Sequence, residues 1–169
     1  MRKPVLLIGM MGCGKSTIGR LLAGRMGLPL IDLDEEIARA AGRSIPEIFA
    51  EEGDAGFRLH ETAVLGRALN AGEAVIATGG GIVTREENIR MMREKGVVVW
   101  LCRPLEDMIA DVRQDTRPNL AGDKEERMRT LYAQRAHLYE AAAHLQFDNR
   151  MPPREAAKML EKLLTERKK

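Results

Sequence analysis

The sequence predicts an α/β fold, a parallel sheet wrapped on both faces by helices as a three-layer sandwich. Three observations predict it. Five short apolar runs, "VLLIG" (5–9), "LPLIDLD" (28–34), "AVIATGG" (74–80), "VVVWL" (97–101) and "LQFD" (145–148), are mostly continuous rather than alternating, as strands covered on both faces should be. Longer segments with helical spacing lie between them, and strand–helix–strand succession implies parallel pairing. A glycine-rich loop joins the first run to the first helix.

That loop, "GMMGCGKS" from Gly9 to Ser16, matches G-x-x-x-x-G-K-[ST] at every fixed position, between a strand and an amphipathic helix as the motif requires. Gly12, Cys13 and Gly14 let backbone N–H groups converge on phosphate oxygens, and the helix N-terminus adds its dipole. Lys15 brings a point charge to the outer phosphates and Ser16 a hydroxyl to Mg²⁺. Thr17 packs in the helix or adds a phosphate contact. The helix over 15–26 gathers Ile18, Leu21, Leu22 and Met26 on one side.

In "IDLDEEI", Asp32 and Asp34 are two residues apart, so in an extended chain they point the same way. At the C-terminal end of a parallel strand, one carboxylate can serve the Mg²⁺ shell and the other an acceptor hydroxyl. The alternative is that Asp34 caps a helix starting at Glu35 and Glu36. In "GFRLHE", Arg58 and Glu61 share a helix face, so Glu61 can fix the guanidinium for bidentate capture of a carboxylate. On the residues alone, an exposed ion pair accounts for them better. His60 is expected to face solvent.

"ATGGG" places Gly79, Gly80 and Gly81 after the third run. Three glycines are entropically costly; a close-approach surface for a second ligand explains them better than a bare turn into a helix from Thr84, with Gly80 the best single contact. "DVRQDTRPNLAGDKEER" (111–127) is polar, has little to bury, and reads as a flap over a site. The last helix sets Ala156, Met159, Leu160, Leu163 and Leu164 inward.

At 169 residues the chain is expected to be one domain, 1–169, with enough residues for a core without staples. Aromatics at 4% argue against base stacking on nucleic acid, and a net charge of +2 leaves basic residues to act as local anion clamps. Two cysteines, Cys13 and Cys102, make no disulfide framework and read as small buried residues of a reducing compartment. No apolar run approaches a membrane span and the N-terminus lacks the pattern of a signal peptide, so a cytoplasmic protein without membrane or nucleic-acid partners is expected.

Together, "GMMGCGKST", "DLD", "GFRLHE", "ATGGG", Arg117–Pro118 and "YAQRAHLY", in this order and at these separations, resemble the shikimate kinase family over essentially the whole chain. The resemblance implies a nucleoside monophosphate kinase-like fold, with a five-stranded parallel sheet in the order 2-3-1-4-5. It implies transfer of the ATP γ-phosphate to the 3-hydroxyl of shikimate, in the pathway to chorismate and aromatic amino acids, with Mg²⁺ and as a monomer. It divides the chain into a P-loop at 9–17, a shikimate-binding region at 32–61 and a lid at 111–124. Asp34, Arg58, Gly79, Gly80, Gly81 and Arg135 match shikimate-binding positions, with Glu61 beside Arg58. Lys15, Ser16 and Asp32 match the phosphate and Mg²⁺ end. Arg117 matches a lid arginine that reaches the ATP phosphates, Arg113 a contact to adenine, and "DNRMPP" (148–153) the loop bordering adenine. Lys15, Asp34 and Arg117 are thereby the catalytic candidates. After Pro118, Asn119 stands where the family usually continues with leucine. Two rivals are a P-loop kinase for another small hydroxylated acid or nucleotide, and a non-catalytic nucleotide-binding relative.

Overall fold

The continuous apolar runs form one sheet. In the computed structural model, which describes residues 3–112 and 123–167, five parallel strands take the order β2-β3-β1-β4-β5. They are β1 (Val5–Ile8), β2 (Leu30–Asp32), β3 (Val75–Ala77), β4 (Val97–Cys102) and β5 (Leu145–Asp148). Central β1 and β3 are buried at every residue, which is why their sequence does not alternate. The register sets Leu7 beside Ala77 and Val99, so the loops after β1 and β3 leave the sheet side by side.

Seven α-helices flank the sheet among the described residues: α1 (Lys15–Met26), α2 (Leu33–Ala41), α3 (Ile45–Asn70), α4 (Glu86–Lys95), α5 (Leu105–Asp111), α6 (Lys124–Ala142) and α7 (Pro153–Glu166). In α1, Ile18 and Leu22 are buried, whereas Leu21 and Met26 are half-buried. In α7 the inward residues are Ala156, Ala157, Leu160 and Leu164. Met159 is exposed, one step off the packed stripe.

Helix α3 starts with a capping box, Ser44 with Glu47, and is kinked at Gly53, whose φ of 70° favours glycine. The kink stacks the Phe49 and Phe57 rings at 4.5 Å and leads the second half of α3 beneath the β3 loop. Two expected boundaries move. The second strand is three residues long, and Asp34 belongs to α2 rather than to an extended segment. The helix expected from Thr84 is preceded by a 3₁₀ turn, Ile82–Thr84, and begins at Glu86. Arg113 and Arg117, with most of the expected lid at 111–124, lie outside the described residues.

Candidate active site

The loops leaving β1, β2 and β3 meet at the carboxyl edge of the sheet. A cleft of about 460 Å³ there is lined by Gly12 to Ile18, Asp32, Asp34, Thr78, Gly79, Gly80, Arg103 and Asn149, among others. At its phosphate end, Gly12 and Gly14 have φ of 82° and 101°, which turns the chain back over the start of α1. Lys15 Nζ donates to the carbonyls of Gly9 at 2.7 Å and Met10 at 3.0 Å, and lies 3.6 Å from Cys13 Sγ. Its charge is thus poised within the loop. Ser16 and Thr17 are exposed at the helix start.

Asn149, at the end of β5, ties this loop to the sheet. Its backbone N–H donates to the Cys102 carbonyl and its Nδ2 to the Cys13 carbonyl, both at 2.7 Å. Arg103 Nη1 donates to the Gly12 carbonyl at 2.9 Å and to Asp111 at 2.5 Å. Neither residue carries a recognisable sequence signal. Asn149 lies within "DNRMPP", but nothing local distinguishes it, and Arg103 follows an ordinary strand. Of the cysteines, Cys13 is fully buried as expected, while Cys102 is half-buried and burial pushes its thiol up to about 11.

Asp32 and Asp34 both line the cleft, though not as neighbours on one strand face. Asp32 is the N-cap of α2, and its Oδ1 accepts from the N–H groups of Asp34 at 3.0 Å and Glu35 at 3.3 Å. The helix cap is therefore Asp32, and Asp34 projects from the first turn. "DLDEE" favours this because the first carboxylate closes the helix and the following acids suit its dipole.

Behind the wall of the cleft that Asp34, Gly79 and Gly80 form lies buried charge, none of which lines the open volume itself. Arg58 and Arg135 are 7% and 6% exposed, and Glu61 is fully buried. The exposed ion pair favoured by the residues alone is thus a buried one, because the glycine turn and the 3₁₀ turn after it pack against that face of α3. Arg58 Nη1 donates to Glu61 Oε1 at 3.0 Å and Nη2 to Asp54 at 3.3 Å. Arg58 Nε, Arg135 Nη1 and Glu61 Oε2 are buried without a hydrogen-bond partner. Burial pushes the Glu61 carboxyl up to about 7, against the pull of Arg58; Asp34 adds to the rise and Arg135 opposes it. His60 is partly exposed and pairs with Glu52, away from this cluster.

The three glycines need no left-handed backbone, since none has a positive φ. Their reason is space. A β-carbon built on Gly79 would lie 3.2 Å from both Asp34 Oδ1 and Glu61 Oε2. One on Gly81 would lie 2.3 Å from Arg58 Nη1. One on Gly80 would meet Met11 N at 3.5 Å, Arg135 Nη1 at 3.6 Å and the Gly9 carbonyl at 3.7 Å. That Gly9 carbonyl is the one holding Lys15, so the glycine turn lies between the P-loop and the buried charge of Arg58 and Arg135. Tyr139, one helical turn after Arg135, donates its hydroxyl to the Gly80 carbonyl at 2.5 Å and fixes the turn. Burial pushes that hydroxyl far up, so it remains a donor. Its i,i+4 spacing from Arg135 is the signal that would have found it.

A family model described as shikimate kinase matches residues 11–165. The chain belongs to the shikimate kinase family. A shikimate kinase of Symbiobacterium thermophilum is 42% identical to this kinase over 165 residues, 94% of this chain and 95% of that one. One of Ruegeria pomeroyi is 46% identical over 144 residues, 84% and 74% of the two chains. Among solved structures, a shikimate kinase from Acinetobacter baumannii in complex with shikimate superposes on this kinase with a TM-score of 0.95 at 36% identity, covering 99% of this chain and 96% of that one. The shikimate kinase of Aquifex aeolicus gives 0.85 at 34% identity, covering 98% and 96%.

Proposed function

We propose that this kinase transfers the γ-phosphate of ATP to the 3-hydroxyl of shikimate, yielding shikimate 3-phosphate and ADP on the route to chorismate and aromatic amino acids. The observation that carries the reading is the pair of buried guanidiniums, Arg58 and Arg135, set against a side-chain-free turn that abuts the Lys15 loop. Buried cations with unpartnered nitrogens are costly unless an anion completes them. A compact cyclic acid fits: its carboxylate pairs with the two arginines, and its ring lies over Gly79, Gly80 and Gly81. Among the described residues, none of those three N–H groups donates to a backbone carbonyl. Asp34, on the first turn of α2, accepts from ring hydroxyls and aims the attacking oxygen. Glu61 holds Arg58 in place.

Phosphoryl transfer needs mainly alignment and charge neutralisation. The P-loop N–H groups of Gly12 and of Gly14 to Thr17 hold the phosphates, that of Cys13 being given to the Met10 carbonyl, and Lys15 exchanges its loop carbonyls for phosphate oxygens. Arg117, and Arg113 at the adenine, complete the nucleotide contacts in this reading. Among the described residues there is no group of three or more His, Cys, Asp or Glu side chains able to hold a metal ion. A single hydroxyl from Ser16 and the Asp32 carboxylate, acting through water, nevertheless suit Mg²⁺, which takes most of its ligands from phosphate and water. Bound with ATP, Mg²⁺ would neutralise charge on the outer phosphates.

The protein is taken to act as a cytoplasmic monomer. Among the described residues no helix is long and apolar enough to cross a membrane, and the large exposed apolar side chains are Leu59 and Met159 alone. ADP release from ATP and Mg²⁺ tests the reading. Shikimate should stimulate it strongly, whereas quinate, a close hydroxylated acid, and nucleoside monophosphates should not. Equal stimulation by a nucleotide acceptor, or none by shikimate, overturns it.

A further inference from the structure

We propose that Glu61 takes up a proton when a carboxylate binds against Arg58 and Arg135, so that acceptor binding and protonation of this one buried side chain are linked. The inference rests on the reading of these two guanidiniums as the shikimate carboxylate's partners. It comes from counting the charges that face Glu61. From its own helix, Arg58 is bonded to Oε1, and Asp54 lies beyond it on the same guanidinium. From α2 comes Asp34, and from α6 comes Arg135; the glycine turn contributes only backbone.

With Glu61 ionised, the guanidiniums of Arg58 and Arg135 already face the carboxylates of Asp34 and Glu61, and Arg58 also meets Asp54, whose exposed side chain stays in water. An incoming carboxylate would be a third anion shielded from water against these two cations, where Arg58 and Arg135 are themselves almost wholly buried. Excess charge of one sign in such surroundings is expensive. Protonating Glu61 restores the balance, and it frees Arg58 to turn its charge toward the ligand. The geometry leaves room for this proton. Oε2 is buried without a partner, and it shares the space over Gly79 with Asp34 Oδ1. A proton there makes Oε2 a donor beside an acceptor.

The direction of titration agrees. Burial already holds the carboxyl near 7 in the free protein, so it is mostly ionised one pH unit above that value. Ligand charge raises it further. The bound state then carries more protons than the free state above about pH 7, and shikimate affinity falls with rising pH there, by up to about tenfold per unit. Below that range both states are protonated and the dependence disappears.

Shikimate is titrated calorimetrically into the nucleotide-free protein about one pH unit above 7, in phosphate and in Tris, whose ionisation enthalpies differ widely. The expected result is a buffer-dependent heat equivalent to about half a proton or more taken up per shikimate bound. Glu61→Gln should bind with a heat independent of buffer. A second readout needs no variant: the ¹³C resonance of the Glu61 carboxyl should move toward its protonated position on adding shikimate. Binding with the same heat in both buffers, uptake that persists in Glu61→Gln, or an unmoved carboxyl resonance overturns the proposal and leaves the substrate reading standing. No shikimate binding at all by the wild-type protein overturns that reading, and the proposal with it.

Discussion

Gly81→Ala isolates the reason for the glycine turn. Gly81 has φ −93° and ψ 7°, so alanine adds no backbone strain. The added methyl carbon would instead sit 2.3, 2.4 and 2.5 Å from Arg58 Nη1, Nη2 and Cζ, about 1 Å inside van der Waals contact. An exposed arginine would swing aside at little cost. Arg58 is 7% exposed and anchored to Glu61 at 3.0 Å and Asp54 at 3.3 Å, so it moves only by weakening those bonds. Displacing one charge-assisted bond costs about 1.5–3 kcal/mol, which converts to a roughly 10- to 150-fold loss of shikimate affinity. ADP affinity should change less than about twofold, because the P-loop touches Gly80 rather than Gly81. Calorimetric titration of each ligand measures both. Wild-type shikimate affinity in Gly81→Ala, or equal loss of both ligands, would refute the view that this glycine exists to make room for the guanidinium.

Lys15→Met should lower turnover by about 100-fold or more, through lost charge at the phosphates, while shikimate still binds the nucleotide-free protein; steady-state rates and direct titration separate the two. Asn149→Ala leaves the Cys13 carbonyl without its 2.7 Å donor, at about 1–3 kcal/mol. Melting should therefore come roughly 2–12 °C earlier, with a raised KM for ATP; thermal denaturation and ATP titration kinetics check both. The raised carboxyl of Glu61 predicts the pH profile of stability without ligand. Between about 4.5 and 7 the folded state holds a proton that the unfolded chain has released, so this group's contribution falls as pH rises through that window. The slope is at most about 1.4 kcal/mol per pH unit. Urea unfolding of wild type and Glu61→Gln across the window should differ in slope, not merely in offset; parallel curves would contradict the assignment.

The strands, α1, the phosphate loop and the direction of the sheet were legible in the sequence because each rests on residues close together in the chain. A glycine-bounded lysine between an apolar run and an amphipathic helix carries its meaning locally. The same holds for the runs that become β1 and β3, whose continuous hydrophobicity reports cover on both faces. What could not be read was burial by distant elements. Arg58 and Glu61 spell a surface pair until the glycine turn packs over them, some 20 residues along the chain. The helix cap fell to Asp32 rather than Asp34 because a strand three residues long ended before the second carboxylate, and that length is set by pairing with β3. Asn149 and Arg103 acquire meaning only where β5 and β4 end beside the P-loop. The sequence by itself determined which chemical groups the protein carries and which local frames hold them. Tertiary structure decided which charges lose their water, because desolvation depends on everything packed around a group and not on its neighbours in the chain.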